Sequence, residues 1–190
     1  MDFRLRDITK LPNILTIMRI LLIPLILKCF FIGGEGGRAS AAVLIVLSGI
    51  TDALDGIIAR CGGMITDLGK LLDPLADKLT QAAVAACLLA GFPELRELAA
   101  ALLALIIVKE TAQLVMGALW LRQGLTLGGA KWFGKLSTAA FYVIVIMLVG
   151  LPGVSLTDAA GLMLCAAAFS LMSFALYILA YFRLWQRQGA

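Results

Sequence analysis

"TDALDGIIARCGGMITDLGKLLDPLADK", residues 51–78, contains five aspartates: Asp52, Asp55, Asp67, Asp73 and Asp77. Runs of almost pure hydrocarbon lie on either side of it. Asp52 and Asp55 are three residues apart and Asp73 and Asp77 four apart, so on helices each pair shares a face. "CGGM" at 61–64 interrupts the helical pattern between the pairs, because two glycines adjoin a charged end. The stretch therefore reads as two antiparallel helices joined by a short turn. Both acidic pairs fall at the same end and can face one another, which gathers four carboxylates in a small volume.

The rest of the chain explains why such a cluster matters. Its 190 residues are 62% hydrophobic and only 15% charged, more apolar surface than a soluble domain of this length can hide. The expected fold is an all-α integral membrane protein, a single domain over residues 1–190 built as a bundle of six transmembrane helices. Since a helix needs about 20 apolar residues to cross the hydrocarbon, the runs place spans at 11–32, 39–60, 70–90, 96–121, 133–150 and 157–182. Residues 1–10 mix charge with Phe3, Leu5 and Ile8 and read as a short interfacial segment. The first apolar run is longer than a signal-peptide core and is followed by "GGEGGRAS" and another span, so it reads as a retained helix. Pro24 is expected to bend its interior, Pro74 to sit in the first turn of the third span, and glycines 33, 34, 36 and 37 to form a flexible turn.

Basic residues orient the bundle. Arg4, Arg6, Lys10, Arg60, Lys70, Arg122, Lys131, Lys135, Arg183 and Arg187 fall on one side, against Arg38 and Arg96 on the other. By the positive-inside rule both termini and the acidic stretch face the cytoplasm, which places the protein in the cell membrane. The net charge of +4 suits anionic headgroups and is too small to argue for a nucleic-acid partner. With no histidine present, Ser-His-Asp and Cys-His nucleophiles and His-ligated metals are excluded. Cys29, Cys61, Cys87 and Cys165 form no C-x-x-C pair and imply no disulfide framework.

Four carboxylates cannot simply share a pocket. Two unit charges about 4 Å apart repel by roughly 4 kcal/mol at an effective dielectric near 20. The group must take up protons or hold cations, and its hard oxygens suit Mg²⁺, Mn²⁺ or Ca²⁺. Two divalent cations would balance four carboxylates, and paired cations can clamp the oxygens of a phosphoryl displacement. Gly56 and Gly69 leave room for a ligand, Arg60 can fork onto phosphate oxygens, and Thr66 offers a hydroxyl in the loop. Asp67 reads as a solvated or helix-start acid. Singly, a carboxylate at a helix end is ordinarily a cap or a solvated group. At these paired spacings at a membrane edge, the four together read as functional.

Asp52-x-x-Asp55-Gly56-x-x-Ala59-Arg60, eight residues, then Gly69-x-x-x-Asp73-x-x-x-Asp77 resembles the CDP-alcohol phosphatidyltransferase signature at every defined position. The resemblance extends to the six-span plan. "LPNILTIMRILLIPL" and "GKLLDPLADK" look most like the bacterial phosphatidylglycerophosphate synthase branch. It implies transfer of a phosphatidyl group from CDP-diacylglycerol to a phosphorylated alcohol with release of CMP, and it implies a homodimer. By motif position, Asp52, Asp55, Asp73 and Asp77 would hold two Mg²⁺ or Mn²⁺ ions, with Asp77 also the general base. Asn13, Gly56, Ala59, Arg60, Thr66 and Gly69 would bind CDP-diacylglycerol.

An acidic acceptor such as glycerol 3-phosphate needs cations, and Lys135, Lys131 and Lys109 are the candidates. Lys109 and Glu110 inside a span can equally be offset by neighbours. Arg19, deep in the first span, either reaches the acidic site or joins an internal pair. The branch carries Arg-Glu followed seven residues later by Arg, whereas this chain has Lys109 and Gly117. That departure leaves phosphatidylglycerol, as in cardiolipin synthesis, and an inositol phosphate open as acceptors. The rival from another class is a divalent-cation transporter, which predicts acids spread through the membrane's depth. A scaffold with a structural metal site would leave Arg60 and the glycines without a role.

Overall fold

The computed structural model describes residues 10–62, 66–122 and 130–186. The expected interfacial segment, the loop around Gly128 and Gly129, and the side chains of Trp120, Trp132 and Trp185 lie outside the described residues. Six α-helices account for nearly all the rest: α1 (Leu11–Ile32), α2 (Gly37–Cys61), α3 (Asp67–Gly91), α4 (Arg96–Arg122), α5 (Ala130–Gly150) and α6 (Leu156–Gln186). Their limits fall within four residues of the expected spans because apolar runs and glycine breaks mark them.

Among the described residues, four helical stretches are long and apolar enough to cross a membrane: Leu11–Ile32, Gly37–Ile58, Pro93–Gly117 and Leu156–Ala180. They carry exposed large apolar side chains such as Leu21, Ile57, Val108, Leu114 and Leu171, which suit a lipid solvent. The chain is thus a multi-pass membrane protein. Of the six helices expected as spans, α3 and α5 do not meet that length and apolarity among the described residues. The first half of α3 carries Asp67, Lys70, Asp73, Asp77 and Lys78. Among the described residues of α5, Leu136–Gly150 forms a shorter apolar stretch. Pro74 is also displaced from its expected place. With α3 starting at Asp67 it lies inside the helix, where it cannot donate to the carbonyl of Lys70.

The helices fall into two compact units, Met1–Gly91 with Val149–Gly153, and Phe92–Leu148 with Val154–Ala190. In the first, α1 packs on both α2 and α3. Its buried residues are Pro12, Asn13, Thr16, Arg19 and Ile26, so near its start it turns a polar stripe inward and its hydrocarbon outward. At the other end of this unit the α1–α2 turn is a defined 3₁₀ turn, Gly34–Gly36. Gly34 has φ of +63°, and a Cβ on Gly33 or Gly37 would collide with the Cys29 carbonyl. Arg38 closes that end, with Nη2 donating to the Gly91 carbonyl (3.3 Å) and its guanidinium 5.3 Å from the Phe30 ring centroid.

In the second unit α4 packs on α6. Ala99, Leu102 and Ile106 of α4 and Ala159, Met163 and Ala166 of α6 are buried at intervals of three and four, the spacing of one helix face. Lys109 is the next position on the α4 stripe and is buried too. Its Nζ donates to Ser137 Oγ of α5 (3.1 Å). The Tyr177 hydroxyl donates to the Gln113 carbonyl (3.2 Å), tying α6 to α4.

Candidate active site

The polar stripe of α1 meets the acidic ends of α2 and α3. Asn13, Thr16 and Arg19 recur every three residues, so they line one face, and all three are fully buried. Arg19 stands at the centre. Its Nη1 lies 2.6 Å from Asp52 Oδ1 and 3.1 Å from Asp77 Oδ1, and its Nη2 pairs with Asp55 Oδ2. Of the alternatives left open for Arg19, both hold, for its internal pairs are the acidic site itself.

Thr16 brings in the fourth acid. Its hydroxyl lies 2.9 Å from Asp73 Oδ1, 3.3 Å from Asp55 Oδ2 and 3.1 Å from the Pro12 carbonyl. A hydroxyl has one proton, so it serves one of these acceptors at a time. The sequence reading did not single out Thr16. The available signal was its position midway between Asn13 and Arg19 on an otherwise apolar helix.

Burial separates the four carboxylates. Asp55 is 5% exposed, whereas the side chains of Asp52 and Asp77 are 52% and 54% exposed. Asp73 is exposed as well. The buried acid thus anchors the group and the other three open to solvent. The expected gathering of aspartates takes a different form from a bare cluster. Among the described residues no three His, Cys, Asp or Glu groups stand close enough to hold a metal ion. The guanidinium lies between the acids and supplies the positive charge that their mutual repulsion demands. The donor set nevertheless fits hard divalent cations, since it consists of carboxylate oxygens, three of them from solvent-open residues.

A second group fixes where α3 begins. Asn13 Nδ2 donates to Thr66 Oγ1 (3.0 Å), the Thr66 hydroxyl reaches Asn13 Oδ1 (3.2 Å), and the Gly69 N–H donates to Thr66 Oγ1 (2.9 Å). Thr66 directly precedes α3, and bonding the third helical N–H makes it the N-cap. The Thr66 side chain, expected to offer a hydroxyl in the loop, is buried and engaged within the protein. Gly69, expected to leave room for a ligand, lies against Asn13. A Cβ there would lie 2.7 Å from Asn13 Oδ1 and 3.1 Å from Thr66 Oγ1. Thr66→Ala should lower stability by about 1 kcal/mol through loss of the cap, while Thr66→Ser should retain most of it. Thermal unfolding of the detergent-solubilised protein measures both, and an equal loss in the two variants would exclude a capping role.

Of the other expected site residues, Gly56 is half-buried in α2 beside Asp55, and Asp67 is the first residue of α3. Ala59 and Arg60 lie in α2 and Lys131 and Lys135 in α5, but their side chains fall outside the described residues. Lys109 belongs to the second unit, where its Nζ donates to Ser137 Oγ.

A buried basic residue on α1, organising paired aspartates from α2 and α3 at one end of the unit, defines a charged site. The chain belongs to the CDP-alcohol phosphatidyltransferase family, whose model matches residues 9–180. It is similar to a CDP-diacylglycerol–glycerol-3-phosphate 3-phosphatidyltransferase of Rickettsia typhi, 48% identical over 80 residues, 42% of this chain and 45% of that protein. Another protein of that name, from Pseudomonas fluorescens, is 32% identical over 149 residues, 75% of this chain and 74% of that protein. A third, from Arabidopsis thaliana, is 37% identical over 76 residues, 40% of this chain and 33% of that protein. In these alignments the chain spans less than half the length of the rickettsial relative.

Proposed function

We propose that this protein transfers a phosphatidyl group from CDP-diacylglycerol to glycerol 3-phosphate, releasing CMP and forming phosphatidylglycerophosphate. The observation that carries this reading is the convergence of Asp52, Asp55, Asp73 and Asp77 on the polar face of α1. Membership of the family and the names of its relatives support it. Both termini and the site are assigned to the cytoplasmic side of the cell membrane by the distribution of basic residues. A homodimer in the bilayer is the assembly the family resemblance implies.

The chemistry follows from the residues. Asp52, Asp55, Asp73 and Asp77 would hold two divalent cations, Mg²⁺ or Mn²⁺, whose charge stabilises the pyrophosphate oxygens and the departing CMP. Asp77, open to solvent at the edge of the group, takes the proton of the acceptor hydroxyl as its oxygen attacks the phosphatidyl phosphorus. The bond from that phosphorus to the CMP oxygen breaks, and the electron pair leaves with CMP. Asn13, Gly56, Ala59, Arg60, Thr66 and Gly69 would contact CDP-diacylglycerol, with Asn13 and Thr66 bonded to each other at the start of α3. Lys135, Lys131 and Lys109 are assigned to the acceptor's phosphate on their sequence positions.

The acceptor has a second reading. Gly117 stands where the branch has arginine, and a Cβ there would lie 3.6 Å from the Tyr177 hydroxyl. A tyrosine thus borders the place of the missing guanidinium, which keeps phosphatidylglycerol and inositol phosphate in the panel. Purified protein given CDP-diacylglycerol, Mg²⁺ or Mn²⁺ and each acceptor should release CMP fastest with glycerol 3-phosphate. Release with another acceptor alone would reassign the substrate. No release with any acceptor, alongside divalent-cation flux in liposomes, would replace the enzyme with a transporter. Lys135→Ala should raise the acceptor KM about tenfold with little change for the lipid donor, the pattern of a lost ground-state contact. Equal changes for both substrates would remove Lys135 from the acceptor site.

A further inference from the structure

The chemistry proposed above gives Arg19 no task, yet the fold places it at the centre of the site. Its guanidinium is 1% exposed and reaches three carboxylates, while its Nε is buried without a hydrogen-bond partner. Those three contacts are of two kinds. Asp55 is buried and binds Nη2 alone, so that pair is sealed from water. Asp52 and Asp77 share Nη1, and both open to solvent. A pair open to water exchanges at little cost, whereas a buried one does not.

Carboxylates brought this close would splay or take up protons unless a cation stood among them. Arginine supplies that charge at every accessible pH, and its planar fork reaches several acids at once. A divalent cation ligated by Asp52 and Asp77 must compete for the oxygens that Nη1 already holds. We propose that Arg19 is a built-in counter-cation: it keeps Asp52 and Asp77 assembled before divalent cations bind, then yields both to them while anchored on Asp55. This rests on the reading that these aspartates bind divalent cations. It makes Arg19 a positioning residue that sets cation affinity against the stability of the cation-free protein.

The linkage fixes the signs. A competitor lowers affinity for the cation by the same factor by which the cation loosens the competitor. Arg19→Gln keeps length and polarity but removes the charge. In the full-length protein in detergent, with free Mn²⁺ followed by electron paramagnetic resonance, Arg19→Gln should tighten Mn²⁺ binding on the order of tenfold. Its Tm without Mn²⁺ should fall by about 5 °C or more, and saturating Mn²⁺ should restore most of that loss. Arg19→Lys keeps one charge without the fork and covers the case in which the glutamine variant fails to fold. It should hold fewer of the acids and show a smaller shift in the same direction. Equal Tm losses with and without Mn²⁺, or Mn²⁺ affinity unchanged or weakened in the folded variants, would overturn the counter-cation role and leave the metal site standing. No Mn²⁺ bound by the wild type would overturn both.

Discussion

Asp77→Asn is expected to slow acceptor-dependent CMP release by about a thousandfold, the middle of the range for removing a general base. Asparagine keeps the shape of the side chain and can still accept a bond from Arg19 Nη1, but it cannot take the acceptor's proton. Because proton removal accompanies attack, the loss should appear chiefly in kcat. The fold should survive. The ion pair with Arg19 is half exposed, and such pairs contribute at most about 1 kcal/mol. Steady-state CMP release with a parallel thermal melt separates the two effects. Activity within tenfold of wild type would remove Asp77 from proton transfer, and a matching collapse of the melt would make its role structural.

The contrast between what could and could not be read in the chain lies in which interactions are local. Apolar runs and glycine breaks are local, so the limits of α1–α6 were legible to within four residues. The paired spacings of Asp52 with Asp55 and Asp73 with Asp77 are also local, and they placed each pair on one helix face. What fills the space between the pairs is not local. Arg19 is 33 residues from Asp52 and 58 from Asp77, as sequence positions, and only the packing of α1 against α2 and α3 decides that it lies among them. A three-residue recurrence of Asn13, Thr16 and Arg19 marks a polar face but names no partner for it.

Glycine illustrates the same limit. Gly69 and Gly56 were both read as clearance for a ligand, since a missing side chain leaves room. At Gly69 that room is occupied by Asn13 and Thr66 of the protein itself. The absence of a Cβ is visible in a sequence, but its beneficiary is not. Charge was a surer guide to the contacts of α3 than mean apolarity. Five charged residues in its first half explain why this helix misses the composition of a simple span, and two of them, Asp73 and Asp77, are those held by α1.

The largest effect on stability is expected at Asp55. Asp55→Ala removes the one acid of the group that is buried together with Arg19, and it also takes away an acceptor of Thr16. Breaking a buried pair from one side strands the remaining charge and costs about 3–5 kcal/mol, a fall in Tm of roughly 10 °C for a chain of this size. Asp52→Ala breaks a contact to the same guanidinium, yet its partner carboxylate is half exposed, so the loss should stay below about 1 kcal/mol. Water can replace Asp52 at Arg19 but cannot reach Nη2 beside Asp55. A double-mutant cycle tests this cause directly. If the cost comes from a stranded charge, Asp55→Ala should be nearly harmless once Arg19 is methionine, because no guanidinium then remains to strand. A loss of equal size in both backgrounds, measured by thermal melts of the four proteins in one detergent, would trace it instead to packing of α2 itself.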